Sequence, residues 1–155
     1  MKIYGSKLPF PIPARTFVVD GSVGDPVQPI VAALEKSKFR LVTAPGQLPV
    51  RMQYGSFLKD AMSFEDYTWV LPEKFQRWSW DVNVYVDSGR DAHGNHAVTV
   101  TSHGYPSRSN DHAFGVVDQA IAFYAQSSQL LHVSDYFQGD PKALKARIKK
   151  QRQDS

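Results

Sequence analysis

Between Arg77 and Val86 the apolar residues fall on every second position. Trp78, Trp80, Val82, Val84 and Val86 alternate with Arg77, Ser79, Asp81 and Asn83, and Asp87 continues the polar set. A period of two predicts a long strand with one buried and one wet face. A Gly-rich polar segment, Asp87 to His96, follows, and a second alternating run is centred on Val98 and Val100. The two runs predict a hairpin and, with it, an antiparallel sheet.

Shorter patterns fill the rest of the chain. Thr16 to Asp20 predicts a first strand. Asp25 is placed to cap a helix that opens at Pro26 and runs to Ser37, with Val27, Ile30, Val31 and Leu34 on its inner face. Phe39–Thr43 and the alternating Val50, Met52 and Tyr54 predict two further strands. A short helix is expected over 56–62 and a strand over 66–71. Ser109, Asn110 and Asp111 offer caps for a helix over 112–131, with Ala113, Val117, Ala120, Ile121 and Tyr124 as its inner stripe. Asp140-Pro141 starts a last helix, in which Leu144 and Ile148 stand four residues apart. Strand, helix, several strands, helix, helix is an order satisfied by an α+β fold. We expect two layers, a mostly antiparallel sheet of roughly four to six strands with helices on one face.

Composition narrows the picture. The 155 residues suit a single domain, with 1–14 as an extended Pro-rich arm, 15–139 as the α+β body and 140–155 as a basic helix or tail. Cysteine is absent, which excludes disulfides, thiolate metal sites and a Cys nucleophile. No run approaches the roughly 20 apolar residues that span a bilayer. Residues 1–13 lack the apolar core of a signal peptide, so a cytoplasmic location is expected. The net charge of +3 is unevenly placed. Residues 140–155 carry Lys142, Lys145, Arg147, Lys149, Lys150 and Arg152 against two aspartates, a balance of +4, and the rest of the chain sums to −1.

Candidate chemistry is sparse. Neither a Gly-x-Ser-x-Gly elbow nor a His-Glu-x-x-His pair occurs. The loop Asp20 to Asp25 joins a strand to a helix start, where backbone N–H groups can hold phosphate. Its glycines do not match a phosphate-binding motif and two aspartates flank it, so a capped turn is the plainer reading. In the hairpin loop Asp91, His93 and His96 supply three ligand types for zinc, against the plainer reading of an exposed turn. If Val84 pairs with Val98, Ser79 lies opposite His103 and Asp81 diagonal to it. A carboxylate beside a histidine suits acid–base work, so Asp81 and His103 are the catalytic candidates, weighed against a solvated surface pair. The aromatics Tyr67, Trp69, Trp78 and Trp80 read as sheet core rather than a stacking platform. Tyr85 sits on the polar face and is the better contact residue.

These features favour a non-enzymatic binding module that meets another protein through an open sheet face bearing Arg77, Asp81, Asn83, Tyr85 and His103. A homodimer through the hairpin or an edge strand is compatible with this reading. No cofactor is implied. A hydrolase using Asp81 and His103 and a nucleic-acid contact through the six tail cations are the alternatives.

Overall fold

The alternating hairpin forms the centre of the fold. The computed structural model describes residues 12–54, 82–104 and 108–154. The arm up to residue 11, the expected helix 56–62, the expected strand 66–71 and residues 77–81, with Trp78 and Trp80, lie outside the described residues. Strand β4 (Val82–Arg90) pairs with β5 (His96–Gly104) in an antiparallel hairpin. Around it stand β1 (Pro13–Val19), β2 (Arg40–Leu41), β3 (Val50–Tyr54), β6 (Leu130–Val133) and the two-residue β7 (Phe137–Gln138). The sheet order is β2-β3-β4-β5-β1-β6, with β7 also on β1, and every pairing is antiparallel. Helices α1 (Gln28–Lys36) and α2 (Arg108–Gln126) pack on one face, giving an α+β architecture. A third helix, α3 (Pro141–Gln153), follows the last strand. No helix among the described residues is long and apolar enough to cross a membrane.

Side-chain parity explains the core. Val82, Val84 and Val86 share a face with Val98 and Val100, and all five are fully buried. Phe17 and Val19 of β1 join them by pairing with Val98 and His96. Against this face α1 sets Ile30, Val31 and Leu34, and α2 sets Ala113, Val117, Ala120, Ile121 and Tyr124, the stripe its periodicity predicts. The Asp25 carboxylate accepts the N–H groups of Val27 (2.9 Å) and Gln28 (3.2 Å), but the helix begins at Gln28 with Val27 at the N-cap position, two residues later than the expected cap at Asp25 and start at Pro26.

Several boundaries move, among them the start of the second helix, at Arg108 rather than His112, and β2, confined to Arg40–Leu41 rather than Phe39–Thr43. β1 begins at Pro13 rather than Thr16, because Pro13 and Ala14 pair with β7 and Ala14 also pairs with Thr101. The hairpin strands continue through Asp87 to Arg90, and the turn is confined to residues 91–95. Helix α2 stops at Gln126 instead of reaching Leu131. Leu130 to Val133 pair with β1 instead, and with β7 they form one interrupted edge strand.

Both α1 and α2 end on a residue with positive φ that is not glycine. Lys38 (φ 73°) and Ser128 (φ 58°) occupy the left-handed region that glycine takes at most helix ends. Behind them Phe39 donates to the Leu34 carbonyl and Gln129 to the Tyr124 carbonyl, both at 3.0 Å. Both residues are exposed, so their side chains offset little of the backbone cost. We expect Lys38→Gly and Ser128→Gly each to raise the unfolding free energy by about 1 kcal/mol. Chemical denaturation of the single and double variants measures this, and unchanged or lowered midpoints would contradict it.

Candidate functional site

The most distinctive surface lies on the sheet face opposite α1 and α2. There the strands project Ala14 and Thr16 from β1, Thr99, Thr101 and His103 from β5, Asn83, Tyr85 and Asp87 from β4, and Arg51 and Gln53 from β3. Their polar character predicts an open, wet surface. The structure corrects this. Asn83 is 1% exposed and Tyr85 2% exposed, and Thr101 is buried as well.

Helix α3 is one reason for the closure, because it runs across this face. Gly139 permits the chain to leave the edge strand and cross over. Its N–H donates to the Ile12 carbonyl at 2.7 Å, and a β-carbon there would lie 3.0 Å from that oxygen and 3.4 Å from Ala14 Cβ. Asp140 then caps the helix, accepting the Lys142 N–H at 2.9 Å, and Pro141 fills the first helical position, as the sequence predicts. Leu144, Ile148 and Gln151 make a half-buried stripe along the inner side. Arg147 donates from Nε and Nη2 to the two carboxylate oxygens of Asp87, at 2.8 and 2.9 Å. These hydrogen bonds, with the nearby charge of Asp87, hold the guanidinium above its ordinary pKa range. Gln151 Nε2 donates to the Pro49 carbonyl at 3.0 Å.

The seat is shallow, for no residue of α3 is fully buried. Two clefts flank the helix. One, of about 230 Å³, lies under its first turns and is bordered by Tyr85, Asp87, Thr101, Phe137, Leu144 and Arg147. The other, of about 200 Å³, lies toward its end, among Thr43, Arg51, Tyr85, Ile148 and Arg152. Tyr85 borders both. Next to the second cleft Arg51 Nε donates to Asn83 Oδ1 at 2.7 Å, and Arg40 Nη2 donates to Gln53 Oε1 at 2.8 Å.

The expected interface residues therefore separate. Arg77 and Asp81 lie outside the described residues, Asn83 and Tyr85 are interior, and His103 is half-buried. The expected pairing of Val84 with Val98 is also corrected. Val84 faces Ser102, Val86 faces Val100, and the residue opposite His103 is Asn83, not Ser79. The tight turn causes this. It is centred on His93, two residues beyond the centre the expected pairing implies, and an even displacement changes partners while keeping each side chain on its face. Asn83 is an amide that neither takes up nor gives up a proton, so the strand supplies no acid–base partner directly across from His103.

The hairpin tip is likewise committed to structure. Asp91 Oδ1 accepts the N–H groups of His93 (2.8 Å) and Asn95 (2.9 Å), and hydrogen bonds of this kind, Asn95's foremost, lower its pKa. His96 turns to the core face, where Nε2 donates to the Val23 carbonyl at 2.8 Å, while His93 is exposed. Asp91, His93 and His96 form no group able to hold a metal ion, nor does any other set of three such residues among the described residues. In the loop before α1, Asp20 Oδ1 takes the Ser22 N–H at 2.8 Å, Asn95 Oδ1 takes the Gly21 N–H at 3.2 Å and the Asp20 carbonyl takes the Val23 N–H at 3.1 Å. These donors close a turn on itself rather than facing an anion.

Sequence reasoning placed Tyr85 at the centre of the candidate surface but missed what covers it. The spacing of Leu144 and Ile148 was the available signal, since two apolar residues on one side of a basic helix require something to pack on. Asp87 and Arg147 carry no comparable signal, because 60 residues separate them. Compared with known proteins, the chain matches no family model, no curated sequence and no solved structure.

Proposed function

We propose that this protein is a non-enzymatic binding module acting through protein contacts at the sheet face crossed by α3. The observation supporting this reading is the shallow seat of the helix, with open clefts on both sides of it. Tyr85, Phe137, Leu144 and Ile148 give the clefts an apolar floor and walls, and Asp87, Arg147 and Arg152 give them a charged rim. Apolar centre with polar rim is the composition of surfaces that take an apolar anchor from a partner segment. A hydrolytic role for Asp81 and His103 has less behind it, given the amide of Asn83 opposite His103.

A photo-crosslinking residue placed at Ala143, an exposed residue on the wall of the first cleft, tests the reading in cells of origin. The same residue at Phe123, 56% exposed on α2, serves as the control. A discrete protein adduct from Ala143 and none from Phe123 is expected. No adduct at Ala143, or the same adducts from both positions, would refute the placement.

A further inference from the structure

The outward side of α3 carries a different signal from the clefts beneath it. Lys142, Lys145, Lys149 and Arg152 are separated by three, four and three residues, which aligns them along one stripe about 15 Å long. All four are exposed, whereas Leu144, Ile148 and Gln151 turn inward. Arg147, the cation on the inner side, is paired with Asp87. The helix is held on the body by that pair and by Gln151 on Pro49.

The sheet extends this row, a feature not apparent from the sequence. Arg152 and Arg51 border the same cleft. Arg40 pairs with Gln53, and Gln53 shares its strand parity with Arg51, so both arginines project on the face that α3 crosses. The described strands place a single carboxylate, Asp87, among their central positions on this face, and Arg147 engages it through both oxygens. Asp140 and Asp154 sit at the two ends of the helix. The four cations of α3 thus meet Arg51 at the second cleft, and Arg40 stands on the same sheet face, which makes a basic band of six.

We propose that this band binds the phosphodiester backbone of nucleic acid without regard to sequence. A repeating row of cations on a fixed helix is complementary to a repeating row of phosphates. The helix has no aromatic residue for stacking on bases, so the contacts position the backbone and read no sequence. Insertion into a membrane surface needs an apolar helix side turned outward, and here Leu144 and Ile148 face the sheet.

Fluorescence anisotropy with two 20-base-pair duplexes of unrelated sequence, read from 50 to 200 mM salt, tests the proposal. The two duplexes should bind equally, with a log–log salt slope of about −5 if all six cations meet phosphate. The triple variant Lys142→Gln, Lys145→Gln, Lys149→Gln should flatten the slope by about 3, and Arg40→Gln alone by about 1. Glutamine and lysine have similar helix propensities, and circular dichroism verifies that the helix persists. Three results would overturn the proposal: no binding at 50 mM salt, a slope that Arg40→Gln leaves unchanged, or phosphatidylserine vesicles bound as tightly as the duplexes.

Discussion

Tyr124→Phe should lower the unfolding free energy by about 1–3 kcal/mol, seen as a lower urea midpoint with an unchanged slope. Tyr124 lies on the inner stripe of α2, 1% exposed, with its ring centroid 5.9 Å from that of Phe17. Its hydroxyl donates to the carbonyl of Pro26 at 2.8 Å. Pro26 stands at the entrance to α1, so this bond ties one covering helix to the start of the other. Phenylalanine keeps the ring and its packing but leaves a buried carbonyl without that donor, which is the costlier half of losing a hydrogen bond. The same group sets an alkaline limit on stability. Burial pushes the Tyr124 hydroxyl up to about 12, whereas tyrosine in an unfolded chain titrates near 10. Between those values the unfolded chain has released a proton that the folded chain retains. The contribution of Tyr124 is therefore complete below pH 10 and is lost as pH rises through 12. Tyr136, also raised to about 12 by burial and its hydrogen bond to Asp118, acts in the same direction, with a smaller effect because it is 45% exposed. Urea titrations at pH 8, 10 and 11 should show the wild type weakening faster than Tyr124→Phe. Parallel curves would mean that another group carries the alkaline loss.

How far such features could be read in advance depends on whether their signal is local. The inner stripe Ala113, Val117, Ala120, Ile121 and Tyr124 follows from helical spacing, and the core valines of β4 and β5 follow from alternation. Both survive intact, because parity is insensitive to an even displacement of the register. The end of α2 was not legible. Ser128 is a poor marker for a left-handed residue, and Leu130 and Leu131 extend the apolar pattern past it. Only pairing with β1, more than 100 residues away, turns that segment into a strand. The same limit hid the burial of Asn83 and Tyr85. Alternation assigns them to the second face, but no pattern within the hairpin reveals that a helix near the C-terminus crosses that face. Parity thus put Tyr85 on the second face and left its cover unseen, and the arginines that extend the basic row, Arg51 and Arg40, had no sequence relation to it.

Gly21→Ala is expected to cost about 3 kcal/mol, from the crowding and the hydrogen bonds it would disturb. Gly21 follows the end of β1, where the chain passes directly beside the hairpin tip. A β-carbon at this position would lie 2.5 Å from the carbonyl oxygen of Gly94, and that oxygen belongs to backbone that cannot rotate aside. Gly94 is itself held in the turn, with φ near 80° and its N–H on the Asp91 carbonyl at 3.1 Å. Arg90 Nη1 bridges the Gly21 and Gly94 carbonyls, and Gly21 N–H donates to Asn95. One added methyl group must therefore push the tip away from β1 and disturb all three bonds. The tip is continuous with the strand that carries Asp87, the anchor for Arg147, so the displacement should also loosen α3. Gly24→Ala is the matched control, since no atom lies within 4 Å of its β-carbon and its φ is not positive. It should be neutral or stabilising by less than about 1 kcal/mol. Denaturation midpoints of the two variants measure the difference, and amide exchange along 141–153 reports the loosening of α3. If the two substitutions cost the same, the close approach at Gly21 does not hold the hairpin to β1.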